Sequence, residues 1–317
     1  MAAFKRIAGR VVVNGIALLL ASVVIFALVK AAPGDPAQIM LGTSAAPDTL
    51  AALRVQLGLD QPLIWQYLGW LQGIVSGDMG QSYTYDVPVS GLVASRAAVT
   101  LPLAALASTG AVMLAVPLGV WAAARPGGGA DIAATVLAQM GIAVPNFWIA
   151  IVLILTVSLG LGYFPAGGFP GWQSGWVSAL QALILPAISL GIPQAAVLTR
   201  VTRAAVLDLM HEDFIRTARA KGLSLRQALW RHAVPNALLP VVTMLGLQIP
   251  FLISGAVLVE NVFNLPGIGT LAYQALAQRD LIVVQNVILL FAALVLVMNV
   301  LTDTLAVMLD PRLRGRG

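Results

Sequence analysis

Between Arg10 and Lys30 the chain carries no charged residue. A helix needs about 20 apolar residues to cross the hydrocarbon core of a bilayer, and this run is long enough. Five comparable stretches follow, giving six in all at 11–31, 99–123, 132–161, 178–205, 237–259 and 281–307. Hydrophobic residues make up 59% of the chain and charged residues 10%, whereas soluble domains average about 25% charged. The mean hydropathy of +0.90 excludes an intrinsically disordered chain. Lipid offers no partner for backbone N–H and C=O groups, so only helices and closed barrels can span it. The runs lack the alternation of barrel strands and exceed their length. The expected fold is an all-α polytopic membrane protein with six transmembrane helices. The basic start and the Ala31-Ala32 pair before Pro33 imitate a signal peptide. The apolar run is longer than the usual h-region of about 7–15 residues, so an uncleaved signal anchor is expected.

Six spans place both termini on one side. With that side cytoplasmic, Lys5, Arg6, Arg10, Arg125, Arg200, Arg203, Arg216, Arg219, Lys221, Arg226, Arg231, Arg312, Arg314 and Arg316 lie inside. Only Lys30, Arg54, Arg96 and Arg279 lie outside. This bias satisfies the positive-inside rule, so the basic pI reports topology rather than a surface for nucleic acid. The chain then divides into a cytoplasmic start and first helix (1–31), an extracytoplasmic segment (32–98), a five-helix core (99–310) and a basic cytoplasmic tail (311–317). The core contains a cytoplasmic loop at 206–236. Segment 32–98 mixes aromatics with Gly and Asp, which suits a compact module at the interface. "PGGGA" at 126–130 predicts a flexible cytoplasmic turn.

Prolines at 102, 117, 145, 186, 193, 240 and 250 fall in the spans. Each removes one helical hydrogen bond. They are either ordinary membrane-helix composition or a set of bends around a gated path. Gln139, Asn146, Gln194, Gln248 and Asn286 lie at membrane depth and are candidates for lining such a path. Each alone is equally explained as interhelical glue, worth about 0.6 kcal/mol on average.

The stretch "RTARAKGLSLRQALWRH", Arg216 to His232, gathers five of the eighteen Lys and Arg residues. Before it come Asp208, Glu212 and Asp213, so acids precede bases as a helix dipole prefers. Gly222 supplies a stop, and Ser224 with Gln227 forms a capping-box pattern. Two short helices around a glycine elbow are expected, the first with an apolar face of Phe214, Ile215 and Ala218. Small residues Thr217, Ala218 and Ala220 on the open side of the elbow would let another backbone approach. Topology alone explains the charge, and a docking element explains the caps and small residues as well.

This stretch resembles the conserved EAA loop of ABC-importer permeases, E-A-A-x-x-x-G-x(9)-I-x-L-P. Arg216, Thr217 and Ala218 stand at E-A-A, Gly222 at the glycine, and His232 to Pro235 at I-x-L-P. Arg216 for Glu and His232 for Ile depart from the general pattern, and "RTARAKGLS" is similar to the form in the peptide/nickel branch. "ALVKAAPGDPA" at 27–37, "LGLDQPLIWQYLGWL…GDMGQSY" at 57–83, "VFNLPGIGTLAYQALAQRDL" at 262–281 and "NVLTDTLAVMLDPRLR" at 299–314 resemble B-type permeases of that branch. Thr270 and Leu281-Ile282 depart from its usual forms. The resemblance implies a type I ABC importer permease fold, most simply for di- or oligopeptides, with nickel chelates, heme or oligosaccharides as alternatives. It implies a second homologous permease, one or two cytoplasmic ATPase subunits and an extracytoplasmic substrate-binding protein. It also assigns ATPase docking to a coupling helix at Asp213, Phe214, Arg216, Thr217, Ala218, Arg219, Ala220, Lys221 and Gly222.

The chemistry missing from the sequence agrees with a subunit that catalyses nothing itself. No G-x-x-x-x-G-K-[ST] pattern is present, so ATP and Mg would be held by partner ATPase subunits and no cofactor by this chain. There is no cysteine, and the two histidines, His211 and His232, both fall in the 206–236 loop, so neither a metal site nor a catalytic centre is expected. Asp303 lies inside the last span with Asn299 one turn earlier. An intramembrane carboxylate could serve a proton-coupled secondary carrier. The alternative is a structural role at the cytoplasmic end for Asn299, Asp303, Asp310 and Arg312.

Overall fold

The computed structural model describes residues 2–32, 34–42 and 45–309, with side chains described at 9–32, 34–42, 45–302, 304 and 305. The described residues are helical throughout, apart from turns and one isolated bridge between Gln81 and Pro88. The helices are α1 (Ala2–Ala31), α2 (Pro36–Leu41), α3 (Pro47–Gln56), α4 (Leu63–Ser76), α5 (Val89–Ala124), α6 (Gly129–Ala143) and α7 (Asn146–Leu153). They continue as α8 (Trp176–Met210), α9 (Asp213–Ala220), α10 (Leu225–Ala228), α11 (Val234–Leu247), α12 (Ile249–Val262), α13 (Ile268–Ala277) and α14 (Leu281–Leu309). A π-helical stretch, Ile154–Gly160, extends α7, and another, Leu229–Ala233, joins α10 to α11.

Among the described residues, four helical stretches are long and apolar enough to cross a membrane: Gly9–Ala31 of α1, α5, α8, and Leu281–Thr302 of α14. The stretches expected at 132–161 and 237–259 are instead bent pairs. α6 meets α7 and its extension at 100°, and the run from α10 through α11 meets α12 at 51°. The number of spans reaches six if each bent pair is one span.

The sharper break has a local cause. Val144 precedes Pro145 and is driven out of the helical region to φ −89°, ψ 124°. Pro250 stands in the first turn of α12, where its missing N–H costs nothing. The other prolines behave differently: Pro102, Pro117, Pro186, Pro193 and Pro240 lie within unbroken helices. Proline in these spans therefore marks a break at two positions only.

The chain separates into two compact units. The first is built on Leu101–Leu265, joined by the end of α14 from Val297. Its centre is α8, which packs on α6, α7, α11 and α12. Where α5 approaches α8 closely, a Cβ on Gly119 would stand 2.8 Å from the Thr199 carbonyl oxygen and 2.6 Å from Thr202 Cβ. The buried hydroxyls of Thr199 and Thr202 donate within α8 to Ala195 and Leu198, both at 2.7 Å. The glycine turn at 126–130 is pinned rather than loose. Gly127 N–H donates to Asp131 Oδ2 at 2.8 Å, and Arg203 of α8 clasps Asp131 through Nε–Oδ1 and through Nη2–Oδ2 at 2.7 Å.

The second unit comprises Gly9–Thr100 and Pro266–Leu296. Its core joins Val89 and Val93 of α5 with Ile268, Leu271 and Ala275 of α13 and Val283, Val284 and Val287 of α14. α4 lies against α1 through a cluster of Phe26, Tyr67 and Trp70, and Ser22 Oγ meets Tyr67 Oη at 2.8 Å. The loop at 77–88 is fastened by a fully buried Asp280. That carboxylate accepts from Ser82 Oγ at 2.5 Å, from Thr84 N–H at 3.1 Å and from Val283 N–H at 3.4 Å. Burial, with the Asp280 charge beside it, pushes the Tyr83 phenol up to about 12.

Candidate functional site

α9 carries the coupling-helix residues inferred from the sequence. Asp213 lies in its first turn and Arg219 in its last, which complements the helix dipole. The helix ends in a Schellman arrangement: Gly222 N–H donates to Arg219 O at 2.9 Å and Leu223 N–H to Ala218 O at 3.3 Å. Gly222 sits at φ 95°, a conformation that any Cβ opposes. Ser224 then caps the next helix. Its Oγ accepts from Gln227 N–H at 3.3 Å, while Gln227 Oε1 accepts from Ser224 N–H at 2.9 Å.

The second helix is not short. α10 runs through the π-helical stretch directly into α11. The expected loop at 206–236 therefore contracts to residues 211–224, because α8 persists to Met210 and the next helix starts at Leu225.

α9 has two unlike faces. Ile215 is 1% exposed and packs with Val120 and Ala123 of α5, Val206 of α8, and Ala228, Leu229, Ala233, Val234 and Ala237 around the start of α11. Burying an isoleucine side chain contributes about 1.5–3 kcal/mol, so the helix is seated on the ends of three long helices rather than tethered at its ends alone. Ala218 shares this buried face, one turn on from Ile215. The expectation that Ala218 is open to a partner is therefore corrected: the i, i+3 spacing turns it inward. Asp213, Phe214, Arg216, Thr217, Arg219, Ala220, Lys221 and Gly222 are exposed. Phe214 is 40% exposed, an aromatic ring on a largely polar face. The Arg216–Asp213 pair, at 3.4 Å and open to solvent, adds little to stability.

The candidates for a translocation path are dispersed. Gln139 is exposed on α6, and Asn146 is half-buried in the first turn of α7, with its side chain against Gly255 of α12. Gln194 and Gln248 are buried, and Gln194 Oε1 and Gln248 Nε2 find no hydrogen-bond partner among the described residues. These four lie in the first unit, whereas Asn286 belongs to the second. Asn286 accepts from Trp70 Nε1 at 3.1 Å and donates to Met79 O at 2.9 Å and Ile282 O at 2.8 Å. Both its N–H groups are consumed in fastening the 70–79 segment to α14, so it acts here as an anchor.

At the end of α14, Asn299 is half-buried. The Asp303 side chain, Asp310 and Arg312 lie outside the described residues. Two residues escaped the sequence reading. Arg203 counted only as positive charge, although it clasps Asp131; the available signal was an acid opening a span directly after the glycine turn. Asp280 gave no signal, because its partners Ser82 and Thr84 lie nearly two hundred residues earlier.

Comparison with known proteins identifies the architecture. Residues 115–315 match the family model for binding-protein-dependent transport system inner membrane components, and residues 3–104 match the model for the N-terminal region of such components. A Brucella abortus protein provisionally named a peptide transport system permease protein is 40% identical over 310 residues, covering 98% of both chains. The oligopeptide transport system permease protein AppB of Bacillus subtilis is 39% identical over 93% of this chain and 95% of its own length. The glutathione transport system permease protein GsiC of Escherichia coli is 38% identical over 94% of each. With its membrane-length helices and these bacterial relatives, this is a multi-pass protein of the inner membrane. Both family matches, together spanning nearly the whole chain, make it a member of the binding-protein-dependent transport system inner membrane component family, a transport permease rather than an enzyme.

Proposed function

We propose that this chain is one of two permeases in an ATP-driven importer of di- or oligopeptides, and that the open face of α9 is where an ATPase subunit docks. In this reading each bent pair is one span, giving six with both termini cytoplasmic. Residues 32–98 then face a substrate-binding protein outside, the core runs from 99 to 310, and residues 311–317 form a basic tail inside. The peptide assignment follows the names of the relatives at 38–40% identity.

The observation that carries the docking assignment is the division of α9 into two faces. Ile215 and Ala218 seat it on α5, α8 and the start of α11, while Phe214, Arg216, Thr217 and Ala220 are left open. A push on the open face is passed through Ile215 to those three helices. A short helix closed by a Schellman turn and a capping box moves as a rigid lever, which an unstructured basic loop would not.

The test is co-purification of the tagged chain with its ATPase subunits, together with peptide-stimulated ATP hydrolysis of the reconstituted complex. Phe214→Glu and Ala220→Glu change only the open face, and each is expected to reduce ATPase recovery at least tenfold while leaving membrane insertion and thermal unfolding unchanged. Recovery at the wild-type level from both variants would refute the docking assignment. Ala218→Glu is unsuitable, because it would bury a charge and unseat the helix.

A further inference from the structure

A cavity of about 380 Å³ lies wholly within the second unit, walled by the end of α1, the α2–α4 segment, the 78–83 loop and the start of α14. Its polar feature is Lys30, half-buried at the end of the apolar run of α1. The ammonium donates to Gln66 Oε1 at 2.5 Å and stands 5.6 Å from the centre of the Phe26 ring. Gln66 is itself fixed, since its Nε2 donates to Gln61 O at 2.7 Å and to Leu59 O at 3.2 Å. The amide therefore has one orientation, and it holds the ammonium in place.

No carboxylate of the described residues pairs with Lys30. A half-buried ammonium supported by a neutral amide and a ring face keeps an uncompensated charge, and that favours an anion from outside the chain. The single carboxylate on the cavity wall among the described residues is Asp78. Asp78 is exposed and engages Gly80 N–H through Oδ1 at 2.9 Å. The cavity thus presents a cation and an anion that do not pair with each other.

The surroundings identify the kind of zwitterion that fits. Trp65 lines the cavity and is 61% exposed, so the cavity opens to the surface beside it. The same helix, α4, has no charged residue in 14 and exposes Leu63, Ile64, Leu68 and Val75 as well. On α1, Val24 and Leu28 are exposed at 56% and 67%. An uncharged helix with an open aliphatic and aromatic face, set against the end of a spanning helix, belongs at the headgroup level of a bilayer.

We infer that this cavity seats a phospholipid headgroup, its phosphate on Lys30 and, in an ethanolamine lipid, its ammonium toward Asp78, with the acyl chains along the exposed faces of α1 and α4. The site is independent of the peptide and ATPase assignments.

Native mass spectrometry of the purified full-length chain, titrated separately with phosphatidylethanolamine, phosphatidylglycerol and phosphatidylcholine, tests the site. Wild type is expected to retain phosphatidylethanolamine over phosphatidylcholine, whose quaternary ammonium cannot donate a hydrogen bond. Lys30→Gln should weaken retention of phosphatidylethanolamine about fivefold, and Lys30→Arg should restore it. Asp78→Asn should move the preference toward phosphatidylglycerol. Inorganic phosphate and a soluble tripeptide should not displace the lipid. Equal retention by wild type and Lys30→Gln, with both unfolding at the same temperature, would overturn the proposal. So would displacement by the tripeptide, which would give the cavity to a peptide instead.

Discussion

Two connectors between long helices show opposite ways of fixing a loop. Residues 211–224 take their shape from hydrogen bonds that reach no further than five residues, from Leu223 back to Ala218 and between Ser224 and Gln227. Residues 77–88 also make local turns, with Ser82 N–H to Val87 O at 3.0 Å and Val89 N–H to Gly80 O at 2.9 Å, but they are fastened by Asp280, 198 residues beyond Ser82, and by Asn286, 207 beyond Met79. The first connector makes its hydrogen bonds within its own neighbourhood, and Ile215 then seats it on α5, α8 and the start of α11. The second is fastened to the rest of its unit only when α13 and α14 are in place. A segment that must work as a rigid unit is best built locally, because its stiffness then survives movement of the helices around it.

The largest effect is expected at the distant fastening. Asp280→Ala strips the buried partner from Ser82 Oγ and the Thr84 N–H and should cost about 3 kcal/mol, read as a lower unfolding midpoint in detergent and faster proteolysis within 77–88. An unchanged midpoint would mean that the loop holds itself, and the contrast with 211–224 would fail.

A pH series sharpens the same point. Tyr83 in the folded chain stays neutral to about 12, whereas in the unfolded chain its phenol ionises near the ordinary tyrosine value of 10.0. Between those values the unfolded chain binds fewer protons, so stability that is complete below pH 10 falls as pH climbs toward 12. With the ring partly exposed, the loss is about 1–2 kcal/mol. Tyr83→Phe should flatten the profile in that window and leave it unchanged below.

The smallest effects belong to the local connector. Gly222→Ala meets no neighbouring atom and pays only for φ 95°, about 1 kcal/mol. Ser224→Ala loses the cap for a similar amount, about 1 kcal/mol. Hydrogen exchange should quicken only near residues 220–228 in both variants. Faster exchange spreading into α8 would show that the elbow is not autonomous.

The same division governs what could be read from the sequence. The apolar runs at 11–31, 99–123, 178–205 and 281–307, the Gly222 stop and the Ser224–Gln227 cap are found where the sequence puts them, whereas the runs at 132–161 and 237–259 are bent pairs. The inward turn of Ala218 depended on which surface lay beneath α9, and that surface comes from α5, α8 and α11. The prolines were ambiguous for a related reason. Each restrains its predecessor alike, yet α8 continues through Pro186 and Pro193 where α6 stops at Pro145. Packing of α8 against four neighbouring helices overrides the local preference. Asp280 and Asn286 resemble ordinary polar residues until their distant partners are known.

The π-helical stretch Leu229–Ala233 carries one more consequence. Such a stretch amounts to one residue inserted into a regular helix, and each residue of an α-helix turns the next by about 100°. The π turn takes up that residue, so the helix beyond it keeps the phase it would have had without it, and Val234, Ala237 and Val241 stay turned into the core. The regular turns of α11 that follow have no such slack. An insertion or deletion at the π turn is a change in its width, whereas the same change one turn later is a rotation of the whole span.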